Sequence, residues 1–531
     1  MNQIYSLVLN HSTGACQAVS EVAKGSRKAA SATGGEACTP RRTRLASACL
    51  IALATLAGTS AWAQDTSGTI TGTRGTDGAF GLFNGGNGTA GSAAVQASSS
   101  GTHSGVLTGG GGGTGGAGSL RGGSGGSGGA GLSTAVDGVV LFNTGSVQGG
   151  RGGDGGSGLT RGAGGAGGTG VLLAAPGTLL NEGSIEGGRG GGGSLPSAAG
   201  GLGVTATGVA SILNAGTVRG GLSGDGLSRA DAIRFTGDNN WLGLLPTSVI
   251  EGNVIGGASS SDTLGLAGST DASFNTALIG PAGQYRNFAG FQKLGSNTWT
   301  LMGATTALTP WQILSGTLSV SSDASLGDAA GLLTLDGGTL RSTADITASR
   351  VVVLGAANGG TLETDAGTTY TANGVMSGIG RLTKTGEGTA TFTAYNTYTG
   401  DTVITAGTLE LGNGGTTGYI AGDVTNNGRL AFNRSDTVLF EGAISGGGSV
   451  EQRGTGTTRL AVTNTYTGGT TITAGTLELG NGGTIGSIVG DVANGGTLAF
   501  NRSDAIVFGG VISGTGNAAA ARHRLHHAHG C

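Results

Sequence analysis

The chain has 531 residues, of which 118 are glycine, 11% are charged and 4% are aromatic, with a formal net charge of −3. Aromatic content this low is wrong for ordinary globular cores, and six prolines without a Gly-X-Y period exclude collagen. Basic and aromatic residues are nowhere clustered into a nucleic-acid footprint, so no nucleic-acid partner is expected.

The first 63 residues stand apart. They carry Lys24, Arg27, Lys28, Arg41, Arg42 and Arg44 against Glu21 and Glu36. Arg41-Arg42-Thr43-Arg44 precedes an apolar stretch at 45–58, and Ala61-Trp62-Ala63 follows it. A basic segment, a short apolar segment and a small-x-small site predict a secretory signal cut after Ala63, leaving Gln64 as the first mature residue. The apolar run is too short to span a bilayer. A twin-arginine signal is set aside because Thr43-Arg44, and not an apolar pair, follows Arg41-Arg42.

This leader starts about 40 residues earlier than an ordinary signal needs. Asn2, Ile4, Tyr5, Leu7, Val8, the 10–14 turn and Val19-Ser20-Glu21-Val22-Ala23-Lys24-Gly25 resemble the extended signal peptide region of type V secretion proteins of Gram-negative bacteria. His11 replaces the family's usual basic residue, and Cys16 a common aromatic. The resemblance implies a helical or disordered signal segment, export through the inner-membrane Sec machinery, and an outer-membrane β-barrel partner. Cys16, Cys38 and Cys49 fall in the leader and Cys531 is last. A body without internal cysteines suits passage across an outer membrane unfolded.

Residues 85–230 contain glycine runs at 109–113 and 187–193. Within them one phrase recurs: Asn143-Thr144-Gly145-Ser146-Val147, Asn181-Glu182-Gly183-Ser184-Ile185 and Asn214-Ala215-Gly216-Thr217-Val218, each continuing to a Gly-Gly pair. Each follows an apolar run, so the phrases read as successive β-helix coils from which loose glycine-rich loops spill on one side. A flexible linker has no reason to keep the phrase three times.

Residues 397–446 and 465–514 repeat without a gap at a 68-residue offset, with about 37 of 50 positions identical. Leu409 and Leu411, Leu430 and Phe432, and Val438 and Phe440 alternate at period two, which places them on one face of short strands. Asn413-Gly414, Asn427-Gly428 and 446–448 are turns. Three coils of about 22 residues fit one period, a length close to that of a right-handed parallel β-helix. The reading stacks Leu409 or Leu411 over its equivalent one period on, and Asn433 over Asn501. A Greek-key sandwich with duplicated hairpins is the alternative, but it has no need of an exact period. Gly380-Arg381-Leu382-Thr383-Lys384-Thr385-Gly386 through Gly407-Thr408-Leu409 looks like the autotransporter-associated β-strand repeat. Residues 450–479 carry a second copy, and residues 290–318, with Lys293-Leu294-Gly295, a diverged one.

No chemistry stands out. Gly122-Gly123-Ser124-Gly125-Gly126 fits a nucleophile pattern only formally, within a glycine run. His103 is the one histidine between the leader's His11 and the chain's end segment, so no base and third group assemble around it. Residues 256–264, with Asp262, resemble one copy of a calcium nonapeptide, which works only in tandem, so the segment reads as a turn. No catalytic, metal or cofactor site is assigned.

The expected organisation is 1–25 extended signal region, 26–63 signal peptide, 64–245 glycine-rich coils, 246–517 repeat-bearing β-helix, and 518–531 an aberrant Arg/His tail. That tail stands where further repeat and a translocator barrel are expected, so the chain reads as truncated or as the product of a disrupted gene. The functional expectation is an all-β, right-handed parallel β-helix passenger exposed at the cell surface or secreted, a stalk or adhesin binding host-cell or matrix ligands. The alternatives are a two-partner secretion exoprotein and an enzyme carried on a β-helix.

Overall fold

The computed structural model describes residues 5–9, 16–20, 65–259 and 261–520. The chain falls into two units, 1–65 and 66–531. In the first, Tyr5–Leu9 and Cys16–Ser20 pair antiparallel. The helical or disordered leader expected here is therefore corrected over those residues, where two short strands pair as a ladder. The cleavage residues Ala61, Ala63 and Gln64 lie outside the described residues.

The second unit is a parallel β-helix. Its strands are mostly three to five residues long and follow the period-two burial predicted from sequence, as in Val139–Asn143, Gly360–Thr364 and Thr497–Phe500. Every strand pairing in it is parallel, each strand bonding its counterparts one coil before and after. One coil runs Ile346–Ala348, Val352–Leu354, Gly360–Thr364, and the next visits the same three faces in the same order. Leu, Ile, Val and Phe from the three faces meet in one continuous core, where Leu411 and Leu479 are each 1% exposed. Parallel pairing of the strands around that core excludes the Greek-key sandwich, whose hairpins pair antiparallel. Stacking like residues contributes about 25 cal/mol per Å² of apolar surface removed from water.

One detail of the stacking is corrected. Thr408, Arg429, Ser449, Thr470 and Val492 open successive strands of one face, 21, 20, 21 and 22 residues apart. Coils this short do not divide 68 into three, and each period overshoots three coils by one face. Leu409 consequently stacks on Ala390 and Leu430, while its repeat equivalent Leu477 lies on a different sheet between Thr458 and Leu498. Asn433 donates to Glu410 and Asn501 to Glu478, each within its own repeat, and the two are not in register.

The expected division at 245/246 is not a structural boundary. The seven-stranded sheet running from Val95–Ala97 to Tyr285–Arg286 passes straight across it. Nor does regular structure stop at 517, since Asn517–Ala520 pairs with Thr497–Phe500 as the next strand.

Candidate binding surface: a glycine fin on the shaft

At one corner of the early coils the chain leaves the shaft, and there the structure departs most from the sequence reading. The excursions occupy residues 72–94, 109–131, 149–170, 187–203 and 220–232, and shrink to residues 252–253 in the following coil. Each consists of an outward arm, a tip and a return arm. They are not loose loops but one hydrogen-bonded array.

The bonds repeat every third residue. Gly112, Gly115 and Gly118 donate to the carbonyls of Arg151, Asp154 and Ser157 in the next outward arm. Gly125, Gly128 and Gly131 donate likewise to Ala163, Ala166 and Thr169 in the next return arm. A second set crosses between arms: Gly126 to Gly113 and Gly153 to Gly126, both at 2.8 Å. A three-residue period with the bonding between arms matches polyproline-II-type geometry, in which the backbone has no internal partners. Neighbouring arms supply those partners here. The array also explains the Gly-Gly-x composition. A Cβ at Gly113 or Gly153 would fall far inside contact distance of a facing carbonyl, whereas at Gly111 the nearest atom would be 3.6 Å away.

The third residue of each triplet faces outward. On the outward arms these include Arg74 with Asp77 (2.6 Å) and Arg151 with Asp154 (2.7 Å). Asp77 also accepts from the Thr114 amide, and Asp154 from the Gly192 amide. The Arg74 hydrogen bond, with the Thr114 amide second, lowers the Asp77 carboxyl to about 2. Return arms present Ser124, Ser127, Ala163 and Ala166 instead. Ser124 of the formal nucleophile pattern lies on a return arm, its amide donating to Asn87.

The repeated asparagine phrase builds a side-chain ladder at the corner before the strand that leads into the fin. Asn143, Asn181 and Asn214 end consecutive strands in register, and each Nδ2 donates to the next residue's side chain: to Asn181 Oδ1 and Asn214 Oδ1 at 2.7 Å, and to Ser248 Oγ at 2.5 Å. His103 stands in register at the head of the ladder, bonded through Nδ1 to Thr66 Oγ1 (2.9 Å) and through Nε2 to the Ser146 carbonyl (3.3 Å). Burial lowers its pKa. Asp262 is likewise structural: its carboxylate accepts from the Asn240 and Gly257 amides and from Asn240 Nδ2, and it opens the strand Asp262–Leu266, which corrects the turn expected there.

The sequence repeats occupy the shaft's corners. In the copy around 382–411, Leu382–Thr385 stacks under Thr402–Ile404, and Thr389–Phe392 under Thr408–Leu411, a block two faces wide and two coils deep. The other two copies form the same block on the preceding and following pair of faces. A buried polar side chain ties each corner. Lys293 Nζ donates to Leu294 O, Gly295 O, Asn297 Oδ1 and Ser315 O. Lys384 Nζ reaches Thr385 O, Gly386 O and Ala406 O, and Gln452 Nε2 reaches Gly454 O and Gly456 O. Burial pushes both lysines down to about 8.

Two outcomes are expected. Lys384→Ala strips buried carbonyls of their donor and costs about 2–4 kcal/mol in denaturant unfolding, whereas Lys384→Gln, the residue used at the third corner, costs about 1 kcal/mol or less. The depressed lysine pKa also fixes the sign with pH. Below about 8 both states are protonated; above that the folded chain loses protons that the unfolded chain retains to 10.5, so stability rises across the window. A Lys293→Gln/Lys384→Gln double variant should lack this rise in a pH series of melting curves.

The sequence missed the fin, although its signals were present: glycine pairs in a three-residue frame, and a tip phrase at Ser119-Leu120-Arg121, Gly158-Leu159-Thr160-Arg161 and Gly226-Leu227-Ser228-Arg229.

Comparison with known proteins agrees with this architecture. Residues 1–54 match the extended signal peptide of type V secretion systems, and residues 291–320, 382–411 and 450–479 match the passenger-associated transport repeat. A parallel β-helix with this leader and these repeats is a passenger of the autotransporter class, exported to the cell surface or secreted from a Gram-negative bacterium. Among individual proteins, the chain is similar to the adhesin BmaC autotransporter of Brucella suis biovar 1 (strain 1330), 31% identical over 188 residues. That match covers 35% of this chain and 5% of the relative, so the chain spans a small part of the relative's length. No solved structure matches. Nothing in these comparisons favours a two-partner secretion exoprotein.

Proposed function

We propose that this passenger is a non-enzymatic, adhesin-type stalk, in which the β-helix shaft sets distance from the cell and the fin presents the contacting surface to host-cell or matrix ligands. The observation that carries the reading is the fin itself. A packed array holds outward side chains at fixed spacing, which lowers the ordering cost of binding. The similarity to a named adhesin supports it. Display on a laboratory Gram-negative strain, fused to an autotransporter barrel, tests it directly. Attachment to cultured cells or matrix proteins should exceed that of the barrel alone. Antibody-detectable display with no gain in attachment would reject it.

The proposed organisation begins with removal of 1–63. N-terminal sequencing of the exported protein should read from Gln64, with Ala61 and Ala63 as the small residues the peptidase requires. Ala63→Arg should block processing. A mature start elsewhere would discard the assignment.

A further inference from the structure

Every tip of the fin exposes a large apolar side chain. Phe83, Leu120, Leu159, Leu195 and Leu227 are 62%, 53%, 84%, 88% and 88% exposed, one from each of five successive excursions. The first tips are held in line by backbone bonds, Leu120 N to Phe83 O and Thr160 N to Leu120 O, both at 2.9 Å. The interior of the array cannot receive these side chains, because it has no space even for a Cβ at its paired glycines. Arg121 and Arg161 stand exposed beside them, and neither has an ion pair among the described residues. The first four tips, at 79–84, 119–121, 158–161 and 194–197, contain no carboxylate.

We infer that this edge docks on an anionic lipid bilayer, the five apolar side chains entering the acyl boundary while Arg121 and Arg161 meet headgroup phosphates. The shape favours a membrane over a protein partner. At about 4.8 Å per coil the ridge is roughly 20 Å long and one side chain wide beyond its first tip, where Phe80 and Leu82 are exposed beside Phe83. It is convex, and a deformable apolar phase accepts such a ridge without a matching groove. Apolar side chains flanked by unpaired arginines are the composition of interfacial anchors. The inference rests on the attachment reading only in locating the contact on the fin.

Co-sedimentation of the purified exported protein with phosphatidylcholine vesicles containing one-third phosphatidylglycerol tests it. Binding is expected to these vesicles and to be much weaker to phosphatidylcholine alone. Leu120→Ser/Leu159→Ser/Leu195→Ser should lower partitioning by about 30-fold or more, and Arg121→Gln/Arg161→Gln by about 10-fold on the anionic vesicles only. Both variants should melt as the parent does, since the changed side chains lie in solvent. Absence of vesicle binding, or binding unaffected by the leucine changes, overturns the inference. So does a concentration-dependent dimer that the leucine changes abolish, because a second copy would then cover the ridge. Vesicles hold no receptor, so a protein that attaches to cells but not to vesicles loses this inference and keeps the attachment reading.

Discussion

Gly153→Ala is expected to destabilise the fin by about 3 kcal/mol or more, while Gly111→Ala, the same chemical change, is neutral or stabilising by about 0.4–1 kcal/mol. Both glycines sit on outward arms of the array, and neither has a positive φ. They differ in what a methyl group meets. At Gly153 it collides with the Gly113 carbonyl, and the Gly153 backbone cannot retreat because its amide is bonded to Gly126 O and its carbonyl accepts from Gly165 N. At Gly111 the added carbon finds ordinary contact distance and only removes freedom from the unfolded chain. Hydrogen exchange is the right measurement, because the fin can open without the shaft and a global melt would miss it. Amides of residues 109–131 and 149–170 should lose protection in Gly153→Ala and keep it in Gly111→Ala. Equal protection in both variants would mean that the arms are not packed against one another as described.

The second large effect lies in the shaft. Arg350 has a side chain 1% exposed and clamps Asp323 through Nε at 2.6 Å and Nη2 at 3.1 Å. It also donates to Gly331 O at 3.0 Å and Gly327 O at 3.2 Å. On this face the 3-10 turn Asp323–Leu326 replaces a strand, so part of the ladder bonding is missing and the guanidinium fork supplies it. Removing one member of a buried ion pair leaves the other charge stranded, and Arg350→Ala is expected to cost about 3–5 kcal/mol. Arg350→Lys keeps the charge without the fork and should recover only part of that. In urea unfolding, Arg350→Leu/Asp323→Leu should cost less than either single change, because no unpaired charge remains. Additive single and double values would show that the pair is not coupled.

Much of this was legible in the residues because it is local. Period-two alternation around Leu409–Leu411 and Leu430–Phe432 identifies strands without reference to the rest of the chain. The asparagine phrases mark coil ends because only a side chain that both donates and accepts can stack on its own copies. Asp262, read as part of a turn, instead opens the strand Asp262–Leu266, a placement that depends on pairing with the neighbouring coils. The corner lysines were visible only as letters in a motif; that their ammonium groups point inward depends on how two coils meet.

The sequence alone determined that this chain is β throughout its body, repetitive, and addressed for export, since strand periodicity, internal repetition and a leader are all written in neighbouring residues. Tertiary structure alone decided two things. The first is the one-face rotation of each 68-residue repeat, which follows from coil lengths of 20 to 22 residues fixed by packing around the core. The second is the fin. Glycine by itself is compatible with a flexible tether, and order arises only because arms some 40 residues apart in the chain supply each other's hydrogen bonds.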